Sequence, residues 1–176
     1  MKIIQAEIKE ILILKPDVFG DERGFFFESY HLPKYAKAGI DCNFIQDNIS
    51  HSIKNTVRGL HFQSGDSAQG KLISVFEGRV LDIVVDIRKS SPTYGRHISM
   101  EISAKNKLQL WIPPGFAHGF AVLSESALFH YKCTTVYNPE AEKIILYNDS
   151  DLNIDWQVDS PVLSAKDLEG IRFADL

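Results

Sequence analysis

The chain has few residues that could staple or coordinate. Only two of its 176 residues are cysteine. Cys42 and Cys133 are far apart and form no CxxC pattern. That excludes a disulfide framework and a thiolate zinc site, and it suits a reducing compartment. A chain of this length buries ~70% of its unfolded surface, so its core needs neither staple. Excess positive charge is also missing: 19 Lys and Arg stand against 23 Asp and Glu, a net charge of -4. The balance argues against nucleic acid as a partner, which needs a basic footprint. Long apolar runs are absent. The longest uncharged stretch, Leu108 to Ser124, is broken by two prolines and two glycines, so no membrane span is expected. Near the N-terminus Glu7, Lys9 and Glu10 interrupt the apolar residues that a signal peptide would need. The expectation is a cytoplasmic protein. No repeat, linker or low-complexity run divides it, so residues 1–176 are read as one domain.

Several catalytic motifs are lacking too. Gln69-Gly70-Lys71 has neither the preceding glycine nor the following Ser or Thr of a P-loop. There is no GxSxG elbow and no HExxH.

What is present is mostly β. Ile8 to Leu14, Gly24 to Tyr30, Thr56 to Phe62, Lys71 to Phe76, Arg79 to Ile87, His97 to Ile102, Leu108 to Ile112 and Ala127 to Tyr137 alternate or are rich in β-branched and aromatic residues. Turn signals such as Glu77-Gly78 and Pro113-Pro114-Gly115 separate them. Strands at this spacing predict an antiparallel sandwich or barrel. Two short helices are expected: His31 to Lys37, with Pro33 in its first turn, and Ala165 to Leu168, with Ser164 as N-cap. In Arg79 to Ile87 both faces carry apolar residues, which places Asp82 in an interior where a carboxylate needs a partner. A regular strand over Thr56 to Phe62 puts Arg58, Leu60 and Phe62 on one face and Val57, Gly59 and His61 on the other. A bulge at Gly59 would break that alternation.

The strand-like segments hold an unusual number of ionisable groups, among them Arg23, Glu28, Asp47, Arg58, His61, Lys71, Asp82, His118 and Tyr131. A polar interior suits a barrel that holds a polar ligand, and its cations suit a phosphate or diphosphate. His61 is the general-base candidate, Tyr131 a candidate acid and Lys71 a candidate for oxyanion stabilisation. Each also has a plain alternative: a core histidine, a rim tyrosine, a surface lysine. Metal-binding barrels of the cupin type carry an HxH pair, whereas here the stretch is His61-Phe62-Gln63. His61 and His118, with Glu142 or Asp82, are the residues that could ligate a metal, and the missing histidine counts against one.

Taken together, FGDERGFFFESY from Phe19, FIQDN from Phe44, NTVRGLHFQ from Asn55, QGKL from Gln69, VDIRKSSPTYG from Val85, LWIPPGFAHGF from Leu110, HYKCT from His130 and LSAKD from Leu163 resemble the dTDP-4-dehydrorhamnose 3,5-epimerase family. The resemblance runs nearly the whole chain. It implies a cupin-like double-stranded β-helix, a jelly-roll barrel with short flanking helices. It also implies an isomerase acting without metal or other cofactor on a dTDP-4-keto-6-deoxyhexose, as a homodimer that exchanges an N-terminal strand. By the same resemblance His61 is the base, Asp167 orients it, Tyr131 donates the proton on the opposite face and Lys71 stabilises the enolate. Asp82 is a rival for the orienting role. Arg23, Glu28, Gln46, Asp47, Asn48, Arg58, His118, Glu142 and Lys166 match substrate-contacting positions. One departure is Val136-Tyr137, where the family often has two adjacent aromatics. Val136 supplies neither ring nor hydroxyl, which bears on substrate fit. Two other readings stay open: an epimerase acting at C3 alone, and a sugar-nucleotide-binding module without catalysis.

Overall fold

A computed structural model describes residues 1–176. In chain order the strands are β1 (Lys2–Gln5), β2 (Leu12–Lys15), β3 (Val18–Asp21), β4 (Gly24–Phe27), β5 (Gln46–Ile53), β6 (Val57–Gln63), β7 (Lys71–Glu77), β8 (Arg79–Asp86), β9 (His97–Ser103), β10 (Gln109–Ile112), β11 (Phe116–Val122), β12 (Ser126–Cys133) and β13 (Glu142–Ile144). The helices are α1 (Leu32–Lys37) and α2 (Ala165–Leu168). No helix is long and apolar enough to cross a membrane.

Two antiparallel sheets form the body. One has the order β1-β2-β10-β7-β12-β5 and the other β13-β6-β11-β8-β9. A core of buried side chains lies between them, including Ile73, Val75 and Phe129 from the first sheet and Val84, Phe120 and Val122 from the second. This is the expected all-β, cupin-like jelly roll. Strand β8 is buried on both faces, as its composition predicts. Val80 and Val84 join the inter-sheet core, while Leu81, Ile83 and Val85 pack outward with Leu152 and Trp156 of the C-terminal segment. The hairpin β3-β4 pairs with neither sheet.

Three boundaries differ from the expectation. Ile8 and Ile11 are core residues in a turn, and the strand starts only at Leu12. The strand from Gly24 stops at Phe27 and the one ending at Cys133 does not reach Tyr137. Five strands lie outside the predicted segments: the short β1, β3 and β13, and the longer β5 and β11. β11, FAHGFAV, is buried at every position, so it has no polar face to alternate. β5, QDNISHSI, alternates the wrong way round: Asn48, Ser50 and Ser52 are the more buried set, and Ile49 and Ile53 are exposed.

The bulge foreseen at Gly59 is present. His61 pairs with His118 and Arg58 with Phe120, so Gly59 and Leu60 stand opposite Gly119 alone. Arg58 and His61 therefore face the same cavity, while Leu60 packs with Val57 on the outer side. Gly59 sits at φ 129°, and a Cβ there would lie 2.5 Å from Gly119 Cα. Only glycine fits that combination.

Candidate active site

The polar face of β5, the bulged strand β6 and the inner faces of β7, β11 and β12 enclose a cavity of about 310 Å³. It is lined by Asn48, Ser50, Arg58, His61, Lys71, His118 and Tyr131, with Phe120 and Phe129 as its apolar wall. A recess of about 90 Å³ shares His61, Lys71 and Tyr131 and adds Gln63, Gln69, Tyr137 and Glu142. His61 projects from one sheet and Tyr131 from the other. The cavity thus presents an imidazole from one sheet and a phenol from the other.

The imidazole of His61 is held from behind. Its Nε2 lies 2.6 Å from Asp167 Oδ1. The same oxygen accepts the Gly59 N–H at 3.2 Å, and Oδ2 accepts the Ser164 hydroxyl at 2.6 Å. Ser164 caps α2 as expected, accepting the Asp167 N–H at 3.2 Å. Asp167 is only 3% exposed. Burial alone would raise its pKa, but the hydrogen bonds from His61 and Ser164 outweigh it and draw the carboxyl down to about 2. The dyad thus has an ionised carboxylate and an imidazole 31% exposed toward the cavity.

Asp82 serves the other histidine. It is fully buried, and His118 Nε2 lies 3.0 Å from its Oδ2. Burial pulls the His118 pKa down, against the Asp82 charge that pulls it up. The geometry pairs Asp167 with His61 and Asp82 with His118. Lys71 is buried beside them; desolvation lowers its pKa, while the charges of Asp82 and Glu142 act the other way. Burial raises that of Tyr131. No three His, Cys, Asp or Glu side chains converge as a metal-binding group would.

The remaining sequence candidates divide in two. Arg58 lines the cavity and donates to Ser52 Oγ at 3.1 Å. Asn48 lines it too and accepts from Gln46 at 2.9 Å. Glu142 accepts from Tyr137 at 2.7 Å and also pairs with Lys166. Asp47 faces outward and holds Lys132 at 2.7 Å. Arg23, bonded to Asp21 at 2.6 Å, and Glu28, paired with Lys34, are on or beside the hairpin and line no part of this cavity. Sequence reasoning missed Ser50, Ser52, Gln63 and Gln69. The alternation of β5, read with its polar side inward, would have found the two serines.

Comparison with known proteins fits this geometry. A sequence model of the dTDP-4-dehydrorhamnose 3,5-epimerase family matches residues 5–175. The chain belongs to that family. It is 54% identical to the dTDP-4-dehydrorhamnose 3,5-epimerase of Salmonella typhimurium over 169 residues, covering 95% of this chain and 92% of the relative. The solved 3,5-epimerase of Legionella pneumophila, in complex with dTDP-4-keto-L-rhamnose, superposes with a TM-score of 0.95 at 48% identity, covering 98% and 93% of the two chains. A dTDP-4-dehydrorhamnose 3-epimerase of Streptomyces niveus is 31% identical, over 99% of this chain and 85% of the relative. The 3,5-epimerase family thus accounts for nearly every element described above. The restricted 3-epimerase is the more distant of the three.

Proposed function

We propose that the chain is a 3,5-epimerase that converts dTDP-4-keto-6-deoxy-D-glucose to dTDP-4-keto-L-rhamnose. The observation that carries this reading is the pairing of a carboxylate-held histidine with a tyrosine from the facing sheet, across one cavity. The C4 ketone acidifies the hydrogens on C3 and C5. His61 donates one N–H to Asp167, so its other ring nitrogen has a lone pair to take such a proton. The electron pair of the broken C–H bond moves into an enolate, whose oxygen Lys71 stabilises. Tyr131 returns a proton to the opposite face of the carbon. Only protons move, so the sugar's oxidation state is unchanged. Asp167 stays ionised and stabilises the imidazolium formed in between.

Arg58, Asn48 and His118 hold the sugar and phosphates from the cavity wall, with Gln46, Glu142 and Lys166 at its rim. Arg23, Glu28 and Asp47 lie outside it. For Arg23 and Glu28, substrate contact fits a homodimer in which the β3-β4 hairpin reaches a partner's site. Phe19, Phe25 and Phe26 of that hairpin are 63–66% exposed in the single chain, far more than a folded monomer needs to show. The reading takes the chain as one catalytic domain in the cytoplasm, in keeping with the free thiols of Cys42 and Cys133.

Proton NMR of the nucleotide sugar incubated with the protein tests this. A product inverted at C3 and C5 is expected. A product inverted at C3 alone would establish the restricted epimerase, and unchanged sugar would overturn the proposal.

A further inference from the structure

Past Cys133 the chain leaves the sheet yet stays against the site. The segment from Thr135 to Asn138 is in no strand. Four of its backbone groups are nevertheless met by glutamine side chains. Gln69 Nε2 donates to the Thr135 carbonyl at 2.8 Å. Gln63 Nε2 donates to the Val136 carbonyl at 3.3 Å, and its Oε1 accepts the Asn138 N–H at 2.7 Å. Gln46 Oε1 accepts the Tyr137 N–H at 2.7 Å.

The three amides share a placement. Gln63 stands two residues after His61, Gln69 two before Lys71 and Gln46 two before Asn48. Side chains two apart on an extended chain point the same way. Gln63 and Gln69 line the recess with His61, Lys71 and Tyr137, so the clamp stands beside the site. The clamped segment is itself exposed, 58% at Val136 and 48% at Tyr137. It buries little apolar surface, so core formation does not account for three ordered glutamines. What the clamp fixes is Tyr137. Its ring walls the recess beside His61, and its hydroxyl bonds Glu142 at 2.7 Å and Lys166 at 3.3 Å. Lys166 adjoins Asp167 on α2, so the segment is tied to the helix that orients the base.

We propose that Gln63, with Gln69 and Gln46, is a positioning residue. It holds Thr135–Asn138 as a strap that keeps Tyr137 against the bound sugar and the base. This rests on the epimerase reading. The test is Gln63→Leu, read by turnover, dTDP affinity and hydrogen exchange at the Asn138 amide. Expected are a kcat lowered about 10–100-fold, dTDP affinity within about twofold of wild type, and faster exchange at Asn138. Gln63→Glu keeps an acceptor for that amide and should recover part of the loss. Gln69→Leu, which removes one donor only, gives the same readout should Gln63→Leu fail to fold. Faster exchange with unchanged kcat would overturn the proposal, as would lost turnover with the Asn138 amide still protected. If wild type turns over no dTDP-4-keto sugar, the epimerase reading fails and takes the catalytic role with it. The Asn138 exchange rates would still report whether the clamp holds the strap.

Discussion

His61 and His118 are paired neighbours on adjacent strands, yet their carboxylates set them apart. His61 is 31% exposed toward the cavity and backed by Asp167, while His118 is 8% exposed at the cavity wall and bonded to the buried Asp82. A base must meet substrate, and the first pair leaves its imidazole the more open of the two. Asp167→Asn should lower kcat by up to about 10⁴-fold, as loss of the carboxylate that orients a general base does, with the fold intact by circular dichroism. Wild-type kcat would instead move the orienting role away from Asp167. The depressed pKa also fixes a sign. Its hydrogen bonds hold Asp167 at about 2 in the folded chain, below the ordinary 3.8 of the free side chain. Its contribution, ~2 kcal/mol, is present above about pH 4 and lost as pH falls toward 2. Denaturant titrations should therefore show the stability gap between wild type and Asp167→Asn closing over that window. At this scale the sequence was informative about identity and silent about partnership. LSAKD and RGLHFQ each showed a candidate, but Asp82 and Asp167 were equal rivals for His61 because their distance in the fold depends on where α2 docks.

Strand β6 shows why elements were harder to read than residues. Strict alternation separates Arg58 from His61, and the single bulge at Gly59 brings them together. Sequence could flag the glycine but not show that the bulge forms, because that depends on Gly119 of the neighbouring strand. Gly59→Ala tests the element directly. The added methyl would meet Gly119 backbone at 2.5 Å and adopt a positive φ. A loss of about 2–4 kcal/mol in denaturant unfolding is expected, with activity falling further than stability alone explains. A variant as stable and active as wild type would mean that Arg58 and His61 converge for another reason. β5 was overlooked because a strand is normally recognised by an apolar face turned inward. Here the interior is a polar cavity, so Asn48, Ser50 and Ser52 face in and Ile49 and Ile53 face out. The central strands Lys71–Glu77 and Arg79–Asp86 and both helices were legible, because core packing and an N-cap follow the ordinary rules.

For the whole molecule, the exposed apolar surface gathers in two places. Phe19, Phe25 and Phe26 project on a hairpin outside both sheets, and Ile45, Ile49 and Ile53 line the free edge at β5. The dimer reading gives both surfaces an occupant. Light scattering should return about twice the mass of one chain, and Phe19→Ser with Phe26→Ser should shift the mass toward one chain. A wild-type monomer at micromolar concentration would contradict that reading. In the proposed chemistry one imidazole serves two carbons. This is tested most directly by deuterium uptake at C3 and C5 of dTDP-4-keto-6-deoxyglucose in heavy water, comparing wild type with His61→Ala. Wild type should label both positions and His61→Ala neither. Uptake persisting at either carbon in the variant would show that His61 is not the base for it.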